Sequence, residues 1–204
     1  MDLNELKQLA AQKPPELADL SDNLVFGAGD PDASLMLIGE APGADEDAAG
    51  KPFVGRAGQL LDQILASVDL DRDSVYITNM VKFRPPGNRN PTPAEVAASE
   101  AILLEEIRLV NPQIISPMGN VPTQYLLSTR EGISKLHGNW YEFRGVRVMP
   151  LFHPAYLLRN PSRTQGSPKW QMWQAMTVLR QQLDELGAKT GRSGISSARQ
   201  DSLF

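Results

Sequence analysis

Residues 34–55 read SLMLIGEAPGADEDAAGKPFVG. Ser34 to Gly39 is an apolar run of the length of a buried strand. The loop after it is built of glycines, prolines and carboxylates, and it ends at an amphipathic helix in which Ala57, Leu60, Leu61, Ile64, Leu65 and Val68 share one face. Strand, loop and helix in that order open a parallel α/β unit. Three more runs have the same character: Val75 to Asn79, Gln113 to Pro117 and Val146 to Phe152. Helical patterns separate them. TPAE at Thr92 to Glu95 is a capping box with Pro93 in the first helical position, and the helix it starts carries Val96, Ser99, Leu103, Ile107 and Val110 on one stripe. A shorter helix is expected over Val121 to Leu127. Ser167-Pro168 opens a last one through Trp173, Met176, Leu179 and Leu183. The alternation predicts an α/β fold, a three-layer α/β/α arrangement around a four-stranded parallel central sheet. Residues 1–186 read as one domain, and 187–204, GAKTGRSGISSARQDSLF, as a Gly/Ser-rich tail expected to be flexible.

At 204 residues, 41% hydrophobic and 22% charged, the chain suits one domain with a sizeable core. Its apolar runs are far shorter than a bilayer span, and MDLNELKQLAAQKPPEL has no charged-then-apolar leader pattern, so a cytoplasmic location without membrane contact is expected. Zero cysteines exclude disulfides, thiolate nucleophiles and thiolate-held clusters. Two histidines leave little for a histidine-rich metal site, so no metal site is expected and catalysis falls to carboxylates, His, amides or hydroxyls. The net charge of -4 weighs mildly against nucleic acid as a partner. Locally the balance reverses. Arg144 to Lys169 holds five basic residues and no acid, and Asn79 to Pro93 carries Lys82, Arg84 and Arg89 unopposed.

In open parallel sheets ligands bind beyond the carboxyl ends of the strands. The expected strands end on Glu40 with its long loop, on Asn79, on Gly119-Asn120 and on His153-Pro154. Glu40, Asn79 and His153, remote in sequence, should therefore converge on one rim. The acids Asp45, Glu46 and Asp47 oppose direct phosphate binding at the first loop.

Four segments taken in order, GEAPGADEDAAGKPFVGRAGQLLD, YITNMVKFRPPGNRNPTPAE, QIISPMG and LFHPAYLLRNPSR, strongly resemble the family 4 uracil-DNA glycosylases over essentially the whole chain. The resemblance implies the same four-stranded parallel fold, and a monofunctional enzyme that hydrolyses the N-glycosidic bond of deoxyuridine in single- and double-stranded DNA, in base excision repair. It assigns roles residue by residue. Phe53 matches the aromatic that stacks on uracil, with Glu40, Ala41, Pro42 and Gly43 around it. Asn79 offers an amide whose oxygen accepts from uracil N3–H while its NH2 donates to O4; cytosine reverses that pattern. His153 matches the histidine placed to donate to O2 as that oxygen becomes anionic. Glu40 and Glu46 are the candidates to orient or deprotonate the attacking water, and residues alone do not separate them; Glu46 is also a candidate to close the side of the pocket where thymine carries its methyl. Ala41 stands where the superfamily's strongest catalysts carry an Asp, a departure that fits family 4. DNA contacts fall to Lys82, Arg84, Asn88 and Arg89, and to Arg159, Ser162 and Arg163 after the histidine. Leu157 or Leu158 is the candidate wedge into the space a flipped base vacates.

The chain departs from that family at the four cysteines that typically hold a four-iron cluster. Phe83 and Ser99 occupy the second pair of positions, and approximately Gln12 and Pro15 the first. No thiolate is available, so the cluster is expected to be absent and Phe83 with local apolar packing to take over its structural work. Two alternatives stand beside the enzyme reading: a relative that binds uracil or abasic DNA without turnover, and, from fold analogy alone, a flavodoxin-like nucleotide binder. The protein is expected to be a monomer. Gln200, Leu203 and Phe204 in the terminal RQDSLF fit the QxxLF pattern by which bacterial repair proteins dock on the sliding clamp.

Overall fold

A computed structural model describes residues 1–188. Gln200, Leu203 and Phe204, and the rest of the expected tail beyond Ala188, lie outside the described residues. The strands are β1 (Ala28–Gly29), β2 (Leu35–Gly39), β3 (Tyr76–Asn79), β4 (Ile114–Pro117), β5 (Tyr141–Phe143) and β6 (Val146–Val148). The helices are α1 (Leu3–Ala10), α2 (Ala44–Ala49), α3 (Arg56–Ala66), α4 (Pro93–Val110), α5 (Asn120–Leu126), α6 (Ile133–Leu136), α7 (Pro154–Arg159) and α8 (Pro168–Glu185). The sheet runs β1-β3-β2-β4-β6-β5. Its four central strands are parallel, and β1 and β5 are antiparallel edges.

The four parallel strands are those the apolar runs predict; the two edge strands, of two and three residues, add to them. The last run ends early as a strand. Pro150 has no N–H to give the ladder, so β6 stops at Val148, and pairing resumes only as a bridge in which Leu151 N–H donates to Pro117 O at 2.9 Å.

Alternation along the strands divides the core. Leu35, Leu37, Ile77 and Ile114 face a layer with Leu60, Leu61, Ile64 and Leu65 of α3 and Met172, Met176 and Leu179 of α8. Met36, Ile38, Tyr76 and Ile115 face the other way, onto Leu103, Ile107 and Val110 of α4. Among the described residues no helix is long and apolar enough to cross a membrane.

The acidic cluster of the first loop has a local cause. Asp45, Glu46 and Asp47 form the first turn of α2, where carboxylates complement the exposed N–H groups of a helix start. The positions matching the cluster cysteines do not fit such a group. Phe83 is 2% exposed among Leu17, Leu20 and Leu103, and the Ser99 hydroxyl donates to Glu95 O at 2.9 Å. Gln12 and Pro15 are exposed. Between them, Lys13 donates to Leu20 O at 2.7 Å and to Asp22 at 2.9 Å, with its ammonium 5.5 Å from the Phe83 ring centroid.

Candidate active site

Gly39 and Asn79 are register partners at the ends of β2 and β3. A Cβ on Gly39 would fall 2.3 Å from Asn79 Oδ1 and 2.6 Å from the Phe53 ring, so glycine is what lets the amide and the aromatic close on each other. The Phe53 ring, 4% exposed, lies 5.6 Å from the His153 imidazole, centroid to centroid. At the end of β4, Gly119 adopts φ +94° and a Cβ there would sit 3.3 Å from His153 Cβ, so the fourth strand end also approaches the imidazole. One cavity of about 590 Å³ is lined by Glu40, Ala41, Pro42, Gly43, Glu46, Phe53, Asn79 and His153, with Asn88, Arg89 and Arg159 among its outer residues. That volume lies within the range of small-molecule sites.

His153 caps α7. Its Nδ1 accepts Ala155 N–H at 3.1 Å, so the ring proton resides on Nε2, which is left as a donor. Burial, reinforced by Arg159 and opposed by Glu46, lowers its pKa to about 4, and the ring is neutral at physiological pH.

The two glutamates differ. Glu46 accepts Gly43 N–H at 3.1 Å through Oε2, and Val54 and Gly55 N–H at 3.1 and 3.0 Å through Oε1. It staples the loop together, and it takes up Gly43 N–H, which is thereby withdrawn as a donor to any ligand. Glu40 lines the same cavity, and burial raises its pKa above the ordinary glutamate value.

Six expected DNA contacts need correction or refinement. Lys82 is buried at 2% exposure: its ammonium pairs with Glu106 and donates to Thr78 Oγ1 at 2.7 Å and Asn79 O at 2.6 Å, so it supports the end of β3 from within and does not reach DNA. Burial lowers its pKa while Glu106 opposes the shift. Leu157 is 0% exposed in the core with α3 and α8, which removes it as a wedge; Leu158 is half-buried against the same core. Arg84 and Asn88 hold each other at 2.7 Å, and Arg89 forks onto Glu95 at 2.8 and 2.6 Å, so these rim groups are pre-set. Arg159, Ser162 and Arg163 are exposed.

Tyr156 was not singled out from sequence. It is 37% exposed at the cavity mouth, its ring 5.2 Å from Phe152. The signal was present in HPAYLLR, where a short helix that buries Leu157 must turn its neighbour Tyr156 outward. His137 was also missed: it stacks on Phe152 at 3.8 Å and accepts Phe152 N–H at 3.1 Å, fixing the residue before His153.

The uracil DNA glycosylase superfamily profile matches residues 26–177. The chain is 44% identical over 142 residues to a type-4 uracil-DNA glycosylase of Thermotoga maritima, covering 69% of this chain and 74% of that protein. It is 37% identical to a type-4 enzyme of Archaeoglobus fulgidus, with 76% and 82% covered, and 32% identical to a type-5 enzyme of Pyrobaculum aerophilum, with 66% and 67% covered.

Proposed function

The chain belongs to the uracil-DNA glycosylase superfamily, and on that footing we propose that it hydrolyses the N-glycosidic bond of deoxyuridine in DNA, releasing uracil and leaving an abasic site. The observation that carries the proposal is the convergence of the Asn79 amide, the Phe53 ring, the neutral His153 and the Glu40 carboxylate on one cavity.

A base within a duplex must leave the stack to be cleaved, at a cost of roughly a few kcal/mol. Uracil then stacks on Phe53, and Asn79 reads its N3–H and O4 together. As the glycosidic bond breaks, the sugar gains positive charge and uracil O2 gains negative charge. His153 meets O2 with its Nε2–H at no cost in deprotonation, because the ring is already neutral and its tautomer is set by Ala155. Glu40, with no loop amides to satisfy, handles the water, and its carboxylate opposes the charge on the sugar. Glu46 keeps the loop in shape. Tyr156 takes the wedge role that buried Leu157 cannot, and Arg84, Asn88, Arg89, Arg159, Ser162 and Arg163 meet phosphates. The chemistry runs without an iron-sulfur cluster, Phe83 and Lys13 joining the segments the cluster would join. On this reading the enzyme works in the cytoplasm, in the compartment that holds its DNA.

A single-uracil oligonucleotide, single- or double-stranded, should be cut by alkali only after treatment with the protein, with free uracil recovered and no borohydride-trapped adduct. Retention of the oligonucleotide without release of uracil would favour the binding protein over the enzyme.

A further inference from the structure

Phe53 is held in an unusual backbone conformation by a residue outside the cavity. Its φ of 54° lies in the left-handed region, which bulky side chains rarely enter. Such a conformation persists only where the surroundings over-determine it. Arg72, in the turn ahead of β3, supplies that constraint. Its guanidinium donates to Phe53 O, to Pro52 O at 3.2 Å and to Gly58 O at 3.3 Å, and it pairs with Asp62. The main chain from residue 52 to 58 thus curls around a single planar fork. Gly58 makes the curl feasible, since a Cβ there would lie 1.7 Å from Phe53 O.

We propose that Arg72 is a positioning residue for the base: it clamps the main chain behind Phe53 and so fixes the stacking ring, without itself lining the cavity. The inference rests on the reading of the cavity as a uracil site. Arginine suits the task because its five donors in fixed geometry satisfy several carbonyls at once, whereas a lysine ammonium is a point charge on a flexible stem. Without the guanidinium, three carbonyls lose a shared donor, and the main chain at Phe53 keeps only the Glu46 bonds to Val54 and Gly55 N–H, which do not reach the Phe53 carbonyl.

Stacking on the ring holds uracil in ground state and transition state alike, so loss of the clamp should raise KM and leave kcat nearly unchanged. Because a misplaced ring loses part of the base stacking, Arg72→Gln should raise KM for a single-stranded uracil oligonucleotide, and the inhibition constant of free uracil, roughly tenfold. Arg72→Lys should fall between it and wild type. If Arg72 acts through Phe53, Arg72→Gln should add no further rise in KM in a Phe53→Ala background; the same factor in both backgrounds overturns the proposal. A second readout is independent of activity. In protein labelled with 4-fluorophenylalanine, with the Phe53 signal assigned by its absence in Phe53→Leu, Arg72→Gln should shift that 19F signal while Arg108→Gln, in an exposed pair with Glu105, leaves it in place. An unmoved signal in Arg72→Gln overturns the clamp. Should wild-type protein release no uracil, the functional reading falls, and the fluorine signal still decides whether Arg72 sets the ring.

Discussion

Lys82 and Phe83 are chain neighbours, each 2% exposed, yet they are buried in opposite kinds of surroundings. Lys82 enters a polar knot of Glu106, Tyr76 and Thr78 and takes the carbonyl of Asn79. β1 pairs only with Tyr76 and Ile77, so the end of β3 needs such a partner. Gly27 leaves the room: a Cβ there would lie 2.3 Å from the Tyr76 hydroxyl and 2.5 Å from Glu106 Oε1. Phe83 enters an apolar patch closed by Leu17, Leu20 and Lys13. The difference teaches that adjacent residues can close two unlike interiors: an apolar ring shuts the outer side, and a paired charge shuts the inner side that holds the end of β3 at the cavity.

The sharpest way to break this comparison is to cut each side in turn. Lys82→Met leaves the Glu106 carboxylate buried without its cation and should cost about 3–5 kcal/mol of stability. It should also lower kcat/KM on uracil-containing DNA, because Asn79 loses its support. Phe83→Ala should cost a similar amount, about 3–5 kcal/mol, through the cavity it opens. The folded fraction of Phe83→Ala should nonetheless keep wild-type kcat/KM. Urea midpoints and steady-state rates on the same preparations decide it, and a parallel loss of activity in both variants would show that the two sides are not independent. Adding Glu106→Leu to Lys82→Met should recover stability without recovering kcat/KM.

The same pair of residues shows what sequence carries and what it does not. The parallel strands and their functional ends were legible because buried strands are continuous apolar runs and ligands gather at their carboxyl ends. The edge strands β1 and β5 were not, since two or three residues cannot display a period. Lys82 read as a surface base because its partner lies 24 residues away. A clue did exist: Glu106 sits three residues after Leu103 and four before Val110, on the buried stripe of α4, and a carboxylate there calls for a buried cation. Glu40 and Glu46 could not be ranked from sequence, because their difference lies in which main-chain amides each one meets. Phe53 and Asn79 were legible as types, but the close approach that Gly39 permits and the clamp by Arg72 emerge only in three dimensions.

At the mouth of the polar side the comparison can be sharpened with a smaller effect. Tyr156 faces out beside Phe152, and a ring that fills a vacated stack matters only where a stack exists. Tyr156→Ala should lower kcat/KM on duplex DNA roughly tenfold, in line with about 1–3 kcal/mol per stacked base, and leave the single-stranded value unchanged. Tyr156→Phe should retain the duplex rate. Equal losses on both substrates would remove the wedge and make Tyr156 part of the cavity wall.

The smallest effect concerns protons on the polar side and asks which group sets its acid limit. His153 must be neutral to keep its ordered tautomer, and Glu40 must be ionised to take a proton from water or face a cationic sugar. Burial lowers His153 to about 4 and raises Glu40 from its ordinary value. A protonated Glu40 can do neither, so the acid limb of kcat/KM is expected to belong to it, displaced by burial upward from the ordinary glutamate value. Each pH unit below that limb should cost about tenfold, equivalent to roughly 1.4 kcal/mol. Stability moves in the same direction from a different source. His137 and His153 have folded values of about 4 against 6.5 unfolded, so the stability they contribute is full above 6.5 and drains away as pH falls toward 4, where the unfolded chain binds protons that the folded chain refuses. The two effects separate in Glu40→Gln. That variant should retain a low rate that stays flat through the former limb, while its urea midpoint still falls between pH 6.5 and 4 as in wild type. A limb that survives in Glu40→Gln would transfer the water to another group and leave Glu40 as a wall of the base site.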